Sequence, residues 1–209
     1  MWLLHPLDDI LSSPARVALL RVLCDAGAPL SGREAVRRAG VTYGPGWAAL
    51  QDLVRSGVLS KRDLGRASAY ELREPQGALI ETLRGLFAVE RERAQQIVDG
   101  LVAAIPEALS IILYGSEARG EAEPGSDTDI LIVAERTTGE LEERIDRACL
   151  AAAGDHGLAL SWHIADLADL REWDETGGDF WGNLLRDGVR LAGDSLEGLR
   201  RRWQTGRAS

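Results

Sequence analysis

Residues 112–133 read ILYGSEARGEAEPGSDTDILIV, and the reading of this stretch decides the fold. Ile111 to Tyr114 form a short, continuously apolar run with strand propensity; Gly115 and Ser116 end it, and the helix-capable EARGEA follows. A strand, a Gly-Ser turn and a helix start make an anion site. Glycine lets a phosphate approach the backbone closely, and the free N–H groups of the following turn and the Ser116 hydroxyl can donate to it.

The second half of the stretch places Asp127 and Asp129 at the start of the apolar run Ile130 to Val133. Residues two apart on a strand share a face, about 6.5 to 7 Å apart along the backbone. Two carboxylates held at about 4 Å repel by about 1 kcal/mol in water and by several times that near a protein interior, so the pair favours a divalent cation. Mg²⁺ suits such a pair, because it binds through one or two carboxylates and completes its shell with water and phosphate oxygens; Mn²⁺ is the alternative.

Gly115-Ser116, ten intervening residues and Asp127-x-Asp129 resemble the signature of the nucleotidyltransferase superfamily of DNA polymerase beta type. The details GSxARGEA and SDxDILIV are most similar to its minimal members, which include antitoxin-type and antibiotic-modifying enzymes. The resemblance covers residues 108–193. It implies a nucleoside triphosphate held at Gly115 and Ser116, with Arg119 supporting the phosphates or the loop, and metal held at the catalytic Asp127 and Asp129. Thr128 stands where an apolar residue is often found. The implied reaction is attack of a hydroxyl, on a protein or a small molecule, at the α-phosphate, with pyrophosphate leaving.

Active members of that superfamily usually carry a third acid on a later strand. Here the candidate strand, Leu158 to Ala165 of GLALSWHIADLADL, has no Asp or Glu. Ser161 or His163 occupies the expected position, and the two share a face. A missing general base lowers a rate by about 10²- to 10⁴-fold, while nucleotide and metal binding survive it. Asp166 and Asp169 lie past the strand and read as helix-start acids.

Upstream, SSPARVALLRVLCDAG offers a Ser12 or Ser13 cap, Pro14 in the first turn and a stop at Gly27. LSGREAVRRAG is a short helix, VTYGPGWAALQDLVRSG turns into a third, and VLSKRDLGRASAYELR holds two strand-like runs around DLGR. The runs from Ala49 to Leu59 and from Gly65 to Leu72 resemble the winged helix-turn-helix domains of transcription regulators. That resemblance places Thr42, Tyr43, Trp47 and Gln51 on a DNA-reading helix and Lys61, Arg62 and Arg66 on a phosphate-contacting wing. Two departures stand out: YGPG puts helix breakers at the start of the reading helix, and Arg55 is that helix's only base. A protein-contact or dimerisation module is the competing reading.

Residues 76–105 keep Leu79, Leu83, Leu86, Val89, Ile97, Leu101 and Ile105 at helical spacing. They read as one connecting helix, either a homodimer seam or packed on its own domains. The tail DFWGNLLRDGVRLAG adds a helix and the strand-like run Gly188 to Gly193; Trp173 and Trp181 could stack on a base, but six tryptophans beside two phenylalanines read mostly as core and interface residues.

Charge divides with the motifs. Residues 1–75 hold 10 Lys and Arg against 8 Asp and Glu, a net of +2, and residues 76–209 hold 14 against 25, a net of −11. The acidity of the second part argues against coating of nucleic acid by the whole molecule. No stretch is apolar for about 18 residues and no export signal leads the chain, so a cytoplasmic protein without membrane contact is expected. Two distant cysteines, Cys24 and Cys149, read as reduced thiols.

The expected architecture is α/β (α+β): a winged helix-turn-helix at 1–75, a connecting helix at 76–106 and a nucleotidyltransferase-fold domain with a mixed sheet at 107–209. Two functions fit it. One is a Mg²⁺-dependent nucleotidyltransferase with a localising DNA-binding domain, with nucleoside triphosphate, DNA and an acceptor protein as partners. The other is a catalytically weak transcription regulator of antitoxin-like kind.

Overall fold

The structure, a computed structural model, describes residues 4–65, 67–73, 77–123 and 125–205. The chain divides into two compact units, Met1–Glu92 and Arg93–Ser209. None of the described helices is long and apolar enough to cross a membrane.

In the first unit, α1 (Pro6–Ile10), α2 (Pro14–Asp25), β1 (Leu30–Ser31), α3 (Gly32–Arg38), α4 (Tyr43–Arg55), β2 (Leu59–Leu64) and β3 (Ala67–Leu72) precede the start of α5 (Ala78–Ala104). Ser13 rather than Ser12 caps α2, its hydroxyl accepting from the Arg16 N–H at 3.3 Å, with Pro14 opening the helix. Ser31 caps α3 in the same way through the Glu34 N–H at 3.2 Å. Each such cap satisfies one of the four N–H groups that a helix start leaves without a partner. Strands β1 and β2 flank β3, all antiparallel, in the order β1-β3-β2.

The apparent helix breakers of YGPG lie inside the first turn of α4. Pro45 is tolerated there because first-turn N–H groups have no helical acceptor. Gly46 has a packing reason: a Cβ on it would fall 2.7 Å from both Val36 and Val41, so only glycine lets α3 and α4 approach this closely. Leu19, Leu20, Leu50, Leu53, Leu59 and Tyr70 fill the core between these helices and the sheet. Full burial of one such leucine contributes about 2 kcal/mol.

Helix α5 is continuous through Gly85 and Gly100. Leu83 and Phe87 are buried in the core of the first unit, and Leu101 and Ile105 in that of the second. Leu86 and Val89, expected on the same stripe, are 58% and 59% exposed. At 3.6 residues per turn, Phe87, four positions on, falls nearer the side of Leu83 than Leu86 does at three.

In the second unit, α5 is followed by β4 (Ala108–Tyr114), α6 (Gly115–Ala118), β5 (Thr128–Ala134), α7 (Gly139–His156), β6 (Leu160–Asp166), α8 (Leu167–Thr176), α9 (Asp179–Asp187), β7 (Val189–Gly193) and α10 (Leu196–Thr205). The sheet runs β6-β5-β4-β7, with β5 and β6 parallel and the other pairs antiparallel. The β5-α7-β6 crossover accounts for the parallel pair.

Alternation along the strands sorts the side chains into two layers. Ile111, Ile130 and Ile132 pack with Leu101, Ile145 and Cys149 on the face covered by α5 and α7. Ile112, Leu131, Val133 and Ala165 pack with Leu170, Trp181, Leu184 and Leu199 on the face covered by α8, α9 and α10. Both cysteines are free thiols. Burial, and then nearby Asp146, pushes the Cys149 thiol up to about 12, so it stays protonated.

Candidate functional site

The turn after β4 and the start of β5 meet at one atom pair. The β4–β5 register sets Tyr114 opposite Asp129, and Gly115 then enters the left-handed region at φ +75°. A Cβ on Gly115 would stand 2.2 Å from Asp129 Oδ2, so the carboxylate rests directly against the glycine backbone. No L side chain fits there, on grounds of space and of dihedral alike. Ser116, half-buried, follows in α6, whose first-turn N–H groups have no partner within the helix.

Asp127 is exposed and lies one residue before β5, so of the two aspartates only Asp129 belongs to the paired strand. Between them, the Thr128 hydroxyl donates to Glu117 Oε2 at 2.7 Å and ties the strand start to α6. Among the described residues, neither the Asp127 nor the Asp129 carboxylate has a hydrogen-bond or ion-pair partner. Asp166 shows the opposite condition. Burial raises its pKa, but N–H donors of Asp169, Ala168 and Thr137 outweigh that and hold it below the usual carboxylate range. Together with Asp169 it forms a capping box on α8, which is the helix-start role, although Asp166 is also the last residue of β6, paired with Ala134, and not past the strand as expected.

Strand β6 lies parallel to β5, with Ser161 opposite Asp129 and His163 opposite Leu131. Ser161, His163 and Ala165 therefore share the sheet face of Asp129, Leu131 and Val133, and β6 adds no carboxylate to that face. No group of three or more His, Cys, Asp and Glu side chains is arranged to hold a metal among the described residues. Two carboxylates without side-chain partners beside a glycine turn with free N–H groups could hold Mg²⁺ or Mn²⁺, which takes its remaining oxygens from water or an anionic ligand.

Next to this row stands an aromatic cluster that the sequence patterns did not reveal. Phe180 packs edge-on against Tyr114 at 5.5 Å and against Trp173 at 5.2 Å between ring centroids. The His163 ring lies 5.7 Å from Trp173 and 6.0 Å from Phe180. Burial, and then the charge of Asp129, pushes the Tyr114 hydroxyl up, so it remains a neutral donor. These residues come from β4, β6, α8 and α9, and no periodicity within one element announces their convergence; of the four, the sequence offered only Trp173 as a ring that could stack on a base. Trp181 is core, with Nε1 donating to Asp174 at 3.1 Å.

Arg119, exposed, caps the end of α6 and pairs with Glu121 at 2.7 Å. In the first unit, Thr42, Tyr43 and Trp47 are exposed at the start of α4. The rings of Tyr43 and Trp47 stack at 5.9 Å, and Trp47 also meets Tyr70 edge-on. Gln51 donates to the Tyr70 hydroxyl at 3.2 Å. Lys61 pairs with Asp63 at 3.1 Å and Arg62 with Glu71 at 2.8 Å, while Arg66 lies outside the described residues.

A cavity of about 630 Å³ opens at the opposite end of the second unit's sheet, lined by Ala108, Ala134, Thr138 and Arg144 among others. Its lining includes Glu107, Glu135 and Glu140 but no Gly-Ser turn, and its Arg144 is already paired with Glu107 at 2.6 Å. Chemistry therefore points to the turn rather than to the cavity.

Residues 95–176 match the family model described as a nucleotidyltransferase domain. The matched segment begins within α5, contains β4, α6, β5, α7 and β6, and ends with α8. It includes Gly115, Ser116, Asp127, Asp129, Ser161 and His163, and the four-stranded mixed sheet fits a nucleotidyltransferase-like fold. Phe180 and β7 lie beyond it. No curated protein matches the chain.

Proposed function

We propose that the second unit transfers a nucleoside monophosphate from a nucleoside triphosphate to a hydroxyl of a protein or small molecule. The observation that carries this reading is the contact of the unpartnered Asp129 carboxylate with the Gly115 backbone. It brings a phosphate-accepting turn and a cation-seeking acid to one point. The Gly115 and Ser116 amides and the Ser116 hydroxyl bind the triphosphate, and Arg119 supports the loop. Asp127 and Asp129 would hold Mg²⁺ or Mn²⁺, which supplies charge neutralisation at the phosphates and lowers the pKa of the attacking hydroxyl. Incubation with α-labelled nucleotide and either ion tests this: label passes to an acceptor with the wild type and not with Asp127→Ala or Asp129→Ala. Aspartate-independent labelling overturns the reading.

A second reading has its own support. Ser161 faces Asp129 where a third acid would serve as base, and the helices α2, α3 and α4 of the first unit with its three-stranded antiparallel sheet are compatible with a winged-helix reading. In that reading the protein is a DNA-binding, antitoxin-like regulator whose second unit binds nucleotide but transfers it poorly. Binding to its own upstream DNA, lost in Lys61→Ala/Arg62→Ala, supports it; a wild type without such affinity sinks it.

A further inference from the structure

We propose that Phe180, Trp173, His163 and Tyr114 form the platform on which the base of the bound nucleoside triphosphate stacks, an inference that rests on the nucleotidyl-transfer reading above. The cluster is continuous with the phosphate turn. Tyr114 immediately precedes Gly115 and pairs with Asp129 in the sheet, and Phe180 packs edge-on against Tyr114. His163 stands on the sheet face of Asp129, one step of two residues from Ser161, so the row of rings begins about 7 Å from the carboxylate row. A ribose bridges that gap.

Exposure separates Phe180 and His163 from ordinary core, against which Tyr114 and Trp173 pack half-buried. Trp181, the neighbour of Phe180 in α9, is 3% exposed, while Phe180 is 39% exposed and His163 is exposed beside it. Phe180 meets Tyr114 and Trp173 at interplanar angles of 90° and 85°. Edge-to-face packing fixes rings in place through their quadrupoles without covering every face. A fixed, half-open group of aromatic faces suits a flat heteroaromatic ring, and stacking tolerates any base because each has a π-face.

Calorimetric titration of the full chain, in Mg²⁺, with ATP and with inorganic tripolyphosphate tests the platform. In the wild type, ATP is expected to bind about ten-fold tighter than tripolyphosphate, within the range that stacking on aromatic side chains supplies. Phe180→Leu keeps apolar bulk but removes the ring; it loses this advantage while tripolyphosphate affinity stays unchanged, and Phe180→Tyr retains it. If Phe180→Leu fails to fold, His163→Ala, at an exposed position, carries the same expectation. Equal affinity of the wild type for the two ligands, with both dependent on Asp129, overturns the platform and leaves nucleotidyl transfer standing. An ATP advantage undiminished in the folded variant also overturns it. Binding of neither ligand overturns the platform together with the reading on which it rests.

Discussion

The wing of the first unit and the turn of the second treat charge in opposite ways. Lys61 and Arg62, the described bases expected to meet phosphate, are matched by Asp63 and Glu71 of the same sheet, and Arg55 of α4 is bonded to Asp52. At the Gly115 turn, Asp127 and Asp129 have no such match among the described residues. A matched pair at the surface is worth about 0 to 1 kcal/mol and largely cancels its own field. Two neighbouring carboxylates left unmatched repel until something positive arrives from outside. By that criterion the charge directed at a ligand is in the second unit.

The contrast can be sharpened by completing what the second unit lacks. Ser161→Asp sets a carboxylate opposite Asp129 on the face where the third acid is missing. If the absent base limits transfer, this change raises the rate of label transfer by about 10²- to 10⁴-fold; an unchanged rate places the limitation elsewhere. A smaller effect comes from the turn itself. Gly115→Ala forces a side chain onto Asp129 Oδ2 in a left-handed backbone conformation. It is expected to cost about 1 to 2 kcal/mol of stability in denaturant titration, with loss of nucleotide binding, whereas Gly85→Ala on α5, with nothing within 4 Å of the added Cβ, keeps binding intact. The smallest effect belongs to the matched charges. Arg62→Ala removes one exposed pair and is expected to change stability by less than about 1 kcal/mol in the same titration; a larger loss would show that the wing pairs hold the sheet rather than neutralise it.

The local grammar of both units was legible in the sequence because it rests on neighbours along the chain. Ser13 and Ser31 cap the helices they precede, and the apolar runs at Ile111 and Ile130 are the central strands of the mixed sheet. Gly115 and Asp129, fourteen residues apart, were expected in one site from the resemblance to the nucleotidyltransferase signature, and the β4–β5 register sets them side by side. What escaped depends on packing between distant elements. YGPG looked like an interruption, yet Pro45 sits where a helix needs no N–H and Gly46 is needed beneath Val36 and Val41. The stripe on α5 was placed on one face, but its cores select Phe87 over Leu86. The rings of Tyr114, His163, Trp173 and Phe180 gather from four elements, and the ion pair of Arg62 with Glu71 needs the β2–β3 register to be seen.

The central claim, that the unmatched carboxylates at the Gly115 turn take up a divalent cation with the triphosphate, is tested most directly by Mn²⁺ binding followed by electron paramagnetic resonance. In the presence of ATP, the account predicts that the wild type sequesters Mn²⁺ from the free-ion signal beyond what ATP alone removes. Asp127→Asn and Asp129→Asn, each close in shape to the wild type, are predicted to lose that excess. Mn²⁺ uptake by both variants equal to that of the wild type would contradict it.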